Sequence, residues 1–140
     1  MGWAMDKHVL LIDDDPIFHI IFTRMINKVY PSLNVNSSLN GKIGLEYLSK
    51  NYSIDKQYII LLDINMPINN GWQFLDGIKK KGIIQNNNIT IFVVTSSTDL
   101  DDIKRAKSYG FVKDTLSKPL SVDSLNHVFK PFLINLFFSF

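Results

Sequence analysis

Three apolar runs in this chain each end in oxygen-bearing side chains. Tyr58-Ile59-Ile60-Leu61-Leu62 ends at Asp63, Leu10-Leu11-Ile12 runs into Asp13-Asp14-Asp15, and Ile91-Phe92-Val93-Val94 runs into Thr95-Ser96-Ser97-Thr98. Runs without polar alternation read as strands buried on both faces, as in a parallel sheet covered by helices. Their ends would then lie together at the carboxyl edge, where open α/β sheets bind ligands. Asp13, Asp14 and Asp63 gathered there would repel one another and raise some of their pKa values unless a cation neutralises them. Mg²⁺, a hard ion that takes one or two carboxylates and accepts a phosphate oxygen, suits such a site. Thr95 adds a hydroxyl donor and Lys118 a mobile ammonium. Together these groups describe a pocket for a phosphoryl group around one carboxylate able to act as nucleophile.

The elements that must bring them together alternate regularly. A strand over His8 to Ile12 is followed by a helix that Asp15 caps and Pro16 opens, with Ile17, Phe18, Ile21, Phe22, Met25, Ile26 and Val29 as its inward stripe. Leu33 to Leu39 is a weaker strand placed toward a sheet edge, and Asn40-Gly41 opens a second helix carrying Ile43, Leu45 and Leu48. The central strand ends at Asp63, and a third helix with Trp72, Leu75 and Ile78 ends near Gly82. After the strand Thr90 to Val94, a fourth helix with Leu100, Ile103 and Ala106 ends at Gly110. A short strand, Asp114 to Leu116, leads to Lys118-Pro119 and to a last helix capped by Ser121, with Val122, Leu125, Val128 and Phe129 inward. Five strands alternating with five helices and joined by right-handed crossovers predict an α/β fold: a doubly wound, five-stranded parallel sheet with helices on both faces.

The bulk properties narrow the function classes. A length of 140 residues fits one domain. A net charge of +2 without a clustered basic stripe argues against nucleic-acid binding; Lys79-Lys80-Lys81 and Lys104-Arg105 with Lys107 read as solvated helix faces. The absence of cysteine excludes disulfides and thiolate metal sites. Met1 to Asp6 lacks the apolar core of a signal peptide, Asp6 does not suit a myristoylation signal, and no stretch matches a membrane span. The expectation is a cytoplasmic protein.

Leu11-Ile12-Asp13-Asp14-Asp15-Pro16, Leu62-Asp63-Ile64-Asn65-Met66-Pro67 with Gly71, Val94-Thr95-Ser96 and Lys118-Pro119 carry a resemblance. Over Lys7 to Phe129 the chain resembles the receiver domain of two-component response regulators, the flavodoxin-like (βα)5 fold. The resemblance implies that Asp63 accepts a phosphoryl group from a phosphohistidine on a sensor histidine kinase or phosphotransfer protein. It implies that Asp14 binds Mg²⁺ directly, Asp13 mainly through water, and Asn65 through its backbone carbonyl. Thr95 would hydrogen-bond the phosphoryl oxygen, Lys118 would pair with it, and Lys118-Pro119 would be a cis peptide. Such a domain is not an enzyme in the usual sense, since it catalyses only its own phosphorylation and dephosphorylation.

In-line attack by a carboxylate needs charge neutralisation more than an acid or a base, so His8, His19 and His127 are expected to be structural or solvent-facing. The resemblance implies an output through a changed surface of the fourth helix, fifth strand and fifth helix, read by a downstream protein target. Thr115 stands where the family usually has an aromatic residue coupled to the threonine, so coupling is expected to run through backbone and loop movement. Asn65 and Ser97 flank the path of an attacking water and are expected to influence phosphoryl lifetime.

The stretch after Lys118 holds one helix, too little for an output domain, so the expectation is one stand-alone receiver domain over 1–140 with a core at about 7–130. Pro131 is expected to interrupt the last helix. The apolar segment Phe132 to Phe140 is expected to fold back on the domain or to dock on a partner or a second copy as a homodimer contact. Two other readings compete. One is a degenerate receiver acting as a phosphorylation-independent binding module. The other is a haloacid-dehalogenase-type phosphatase built on Asp13-x-Asp15, against which Ile17 and the lack of an acidic pair after Lys118 count.

Overall fold

The computed structural model describes residues 6–67, 70–96 and 100–138, with side chains through Leu133. Ser97, Thr98 and Asp99 lie outside the described residues. The strands are β1 (Asp6–Ile12), β2 (Asn34–Ser38), β3 (Lys56–Asp63), β4 (Ile89–Thr95) and β5 (Val112–Ser117). The helices are α1 (Pro16–Val29), α2 (Gly41–Asn51), α3 (Gly71–Lys81), α4 (Leu100–Ser108) and α5 (Val122–Phe138), with a 3₁₀ turn at Ile83–Asn86. All strand pairs are parallel, in the order β2-β1-β3-β4-β5, so the weak β2 does lie at an edge.

Successive side chains of a strand point to opposite faces, and both faces are covered here. Leu10, Ile12, Ile60, Leu62, Ile91 and Val93 pack with Leu48 of α2, Phe74, Leu75 and Ile78 of α3, and Ala106 of α4. Val9, Leu11, Ile59, Leu61, Phe92 and Val94 pack with Phe22 and Ile26 of α1 and Leu125, Val128 and Phe129 of α5. This double burial is why the three inner strands run apolar through residues 9–12, 58–62 and 91–94, whereas the edge strands β2 and β5 mix polar and apolar residues. Local signals start and stop the helices. Asp15 accepts from the Ile17 amide with Pro16 in the first turn, Asn40 accepts from Ile43, and Asn70 and Gln73 form a reciprocal capping box. Gly82 ends α3 at φ 71°, a left-handed conformation that glycine adopts without steric cost.

The register of β5 carries a functional consequence. Ile91 faces Val112, but Phe92 faces Asp114, so Lys113 is an extra residue in β5. A bulge of this kind reverses the in-out alternation beyond it. Ser117 thereby comes opposite Thr95, and the next backbone N–H, that of Lys118, donates to the Thr95 carbonyl at 3.0 Å. On the opposite side, α4 is tied to α3 by a surface stack. The Trp72 and Tyr109 rings lie 6.2 Å apart at 12°, Arg105 sits 4.1 Å over Trp72, and the Tyr109 hydroxyl donates to Asp76 at 2.9 Å.

Several expectations about helix faces need correction. In α1, Ile17 is 65% exposed and Ile20 and Ile21 are more than half exposed, while His19 takes a buried position beside Phe22 and Ile26. A helix apolar on most of its circumference does not reveal which stripe turns inward. Ile43, Leu100 and Val122 are likewise exposed. Pro131 does not interrupt α5, which continues to Phe138. Proline removes one helical N–H, and tertiary packing outweighs that loss: Phe132 and Leu133 fold onto the core shared with α1, and the Lys7 ammonium lies 4.5 Å from the Phe132 ring centroid. Among the described residues, no helix is long and apolar enough to cross a membrane.

Phe74 is fully buried at the centre of the α2–α3 face. Phe74→Ala is expected to lower the unfolding free energy by about 3–5 kcal/mol, measured by urea denaturation, with the denaturant slope unchanged.

Candidate functional site

The ends of β1, β3, β4 and β5 bring the sequence-derived residues together. One carboxylate oxygen from each of Asp13, Asp14 and Asp63 lies within 4.8 Å of the others. Asp14 is exposed, while Asp13 and Asp63 are buried. Lys118, carried in over the cis Lys118–Pro119 bond, places Nζ 2.5 Å from Asp13 Oδ2 and 3.5 Å from Asp63 Oδ2. The Asn65 amide donates to Asp63 Oδ1 at 2.9 Å, and Asn65 Nδ2 donates to Thr95 Oγ1 at 2.8 Å. The loop after β3 thus links the central carboxylate to the hydroxyl of β4.

Gly71 explains how α3 can approach this loop. A side-chain carbon there would stand 2.7 Å from Ile64 Cα and 2.9 Å from the Asp63 carbonyl oxygen, closer than packed atoms come. Glycine lets the start of α3 rest against the backbone that carries Asp63.

Burial pushes the Asp63 carboxyl above its ordinary pKa; the Asn65 amide and the Lys118 charge pull it back, and Asp13 and Asp14 add to the rise. Burial also works against the charge on Lys118. Its hydrogen bond to Asp13 and the fields of Asp63 and Asp13 outweigh that, so the ammonium is held above the usual lysine value. The site therefore holds its cation firmly and carries excess negative charge. A set of three carboxylates within one ion's reach, one of them solvent-facing, fits a hard divalent cation such as Mg²⁺.

Two neighbours of the site are not among the sequence-derived site residues: Phe18, which packs against the core as expected, and His19. The Phe18 ring lies 4.4 Å below Lys118 Nζ, and His19 Nε2 lies 2.7 Å from the Asp13 carbonyl oxygen. Both sit in the first turns of α1, four and five residues after Asp14, where a helix leaving the β1 edge folds back beside it; that spacing is the signal available in the sequence. The other histidines lie away from the carboxylates. The His8 ring lies tilted against that of Tyr58, centroids 5.8 Å apart, and His127 is exposed, 3.4 Å from Asp114.

Comparisons with known proteins bear on the fold and the family. The family model described as "Response regulator receiver domain" matches residues 9–130. The chain is 24% identical over 129 residues to sporulation initiation phosphotransferase F of Bacillus subtilis, covering 92% of this chain and 95% of that protein. It is 32% identical over 118 residues to the transcriptional regulatory protein MalR of the same species, covering 83% of this chain and 46% of MalR, so it spans about half of that relative. A crystal structure of a two-component response regulator from Cytophaga hutchinsonii superposes with a TM-score of 0.80 at 30% identity, covering 94% of this chain and 99% of that one.

The raised pKa of Asp63 has a definite sign in stability. A carboxyl whose folded pKa exceeds its unfolded value stabilises when protonated, and that contribution is lost as pH rises through the folded pKa. Without divalent cation, Asp63→Asn is expected to resist urea better than wild type at neutral pH. The advantage should shrink as pH falls through the raised Asp63 pKa; urea midpoints at neutral and acidic pH measure it.

Proposed function

Because the chain belongs to the response regulator receiver domain family, we propose that it is a phosphoacceptor of a two-component phosphorelay, with Asp63 as the accepting residue. The reading rests on one observation above the others: Lys118 is ion-paired with both Asp13 and Asp63, and all three acids converge within one ion's reach. A carboxylate oxygen of Asp63 attacks the phosphorus of a phosphohistidine on a sensor kinase or phosphotransfer protein. The new O–P bond forms as the P–N bond breaks, and the imidazole leaves with the bonding electron pair.

Asp14, Asp63 and the Asn65 carbonyl would hold Mg²⁺, with Asp13 acting through water; the ion would supply positive charge to the transferring phosphoryl oxygens. Lys118 pairs with a phosphoryl oxygen, shifting between two carboxylates and the incoming anion without leaving the site. Accepting from Asn65 orients the Thr95 hydroxyl, which donates toward the phosphoryl group. The engagement of Thr95 then biases the α4–β5–α5 surface toward the state that a downstream protein reads, in the cytoplasm.

The surroundings support a protein donor. Ile17, Ile20 and Ile21 form an exposed apolar face on α1, and Phe18, Met25, Pro119 and Leu120 line a 390 Å³ groove that reaches Lys118. A helical donor surface could cover this face and exclude water from the reacting atoms. A phosphatase with Asp13 as nucleophile fits poorly, because Asp13 is 1% exposed and its two oxygens are held by the Asp15 amide and Lys118.

Incubation with Mg²⁺ and acetyl phosphate, followed by intact mass measurement, tests the reading. Wild type should gain one phosphoryl group, and Asp63→Asn or added chelator should abolish the gain. Labelling that survives Asp63→Asn would move the acceptor elsewhere.

A further inference from the structure

Asp13 has a partner for every polar atom it owns. Its amide donates to the Ser38 carbonyl at 3.1 Å, Oδ1 accepts from the Asp15 amide at 2.9 Å, and Oδ2 pairs with Lys118. Its carbonyl oxygen meets His19 Nε2 at 2.7 Å. A nitrogen this close to a carbonyl oxygen must carry its hydrogen, so Nε2 donates.

The other ring nitrogen makes this bond informative. His19 is buried, and Nδ1 has no hydrogen-bond partner. Leaving a buried polar atom unpaired costs about 1–3 kcal/mol. The other inward positions of this helix, Phe22 and Ile26, are apolar and carry no such cost. A side chain that merely fills space at position 19 would be cheaper as an aliphatic residue. What histidine adds is the single bond from α1 to the chain between Asp13 and Asp14.

We propose that His19 is a positioning residue for the acidic pair: by holding the Asp13 carbonyl, it fixes the peptide that joins Asp13 to Asp14 and so the direction in which Asp14 presents its carboxylate. The peptide plane between the two acids is rigid, so the direction of the Asp13 carbonyl determines where the following Cα stands. Partners of this outer kind orient metal ligands, and their loss typically weakens metal binding by 10–100-fold. The inference rests on the proposed Mg²⁺-dependent acceptor site, and it concerns how that site is held rather than which residues compose it.

Three substitutions separate positioning from packing. The amide nitrogen of glutamine can occupy the place of Nε2, whereas that of asparagine matches Nδ1 and falls short of the carbonyl; leucine fills space without donating. Mg²⁺ affinity is measured on the full chain by titration calorimetry, beside thermal unfolding to verify that each variant is folded. His19→Gln should keep wild-type affinity, while His19→Asn and His19→Leu should lose about tenfold. Equal affinity in all four proteins, or a loss in His19→Gln as large as in His19→Asn, overturns the inference while leaving Asp63 as acceptor. A wild type that binds no Mg²⁺ would overturn the acceptor reading itself, and this inference with it.

Discussion

Lys118 is the one cation bonded to the acids at the carboxyl edge among the described residues, and its contact with Asp13 and Asp63 is what lets them share so small a space. Three carboxylates against one ammonium leave a surplus of two negative charges when all are ionised. That surplus matches in magnitude the charge of a divalent ion, which these three carboxylates could hold. Much of the architecture serves this contact. The bulge at Lys113 sets the register of β5, the Lys118 amide is pinned to Thr95, and the Phe18 ring supports the ammonium from below. A buried ion pair gives little net stability of its own, because desolvation offsets attraction. In the proposed phosphoryl transfer its value would lie in keeping a charged side chain aimed at the incoming negative charge.

Around that centre, rigid and adaptable parts are separated. Asp13 is fixed at every polar atom, and α3 rests on the Asp63–Ile64 backbone through the missing side chain of Gly71. Asp14, by contrast, faces solvent. The exposed apolar face of α1 belongs to the same helix that supplies Phe18 and His19. A partner seated on α1 would therefore rest on the element that contacts Lys118 and the acidic loop.

The parts of this arrangement legible in the sequence were those governed by burial on both sides. The runs ending at Ile12, Asp63 and Thr95 contain no polar interruption, and only a doubly covered strand needs that. The caps at Asp15 and Asn40 and the stop at Gly82 follow from local hydrogen bonding and backbone sterics, so short stretches reveal them. The inward face of α1 did not follow, because Ile17, Ile20 and Ile21 are as apolar as Phe22 and Ile26 and only the sheet decides between them. Proline at 131 implied a stop on local grounds, whereas packing of Phe132 and Leu133 carries α5 onward. His19 and Phe18 were hidden for a different reason: Phe18 meets Lys118 from a distant part of the chain and His19 meets a backbone carbonyl, and their spacing from Asp14 hints at proximity without naming the contact.

The stack of Trp72, Tyr109 and Arg105 joins α3, which abuts the loop after β3, to the end of α4. An indole flanked by a guanidinium emits according to how closely that charge lies against it. The molecule thus contains an optical gauge of the spacing between two helices, and substituting Trp3, its only other tryptophan, would leave that signal without background. Repositioning of α4 could be followed in real time by intrinsic fluorescence, with no dye attached.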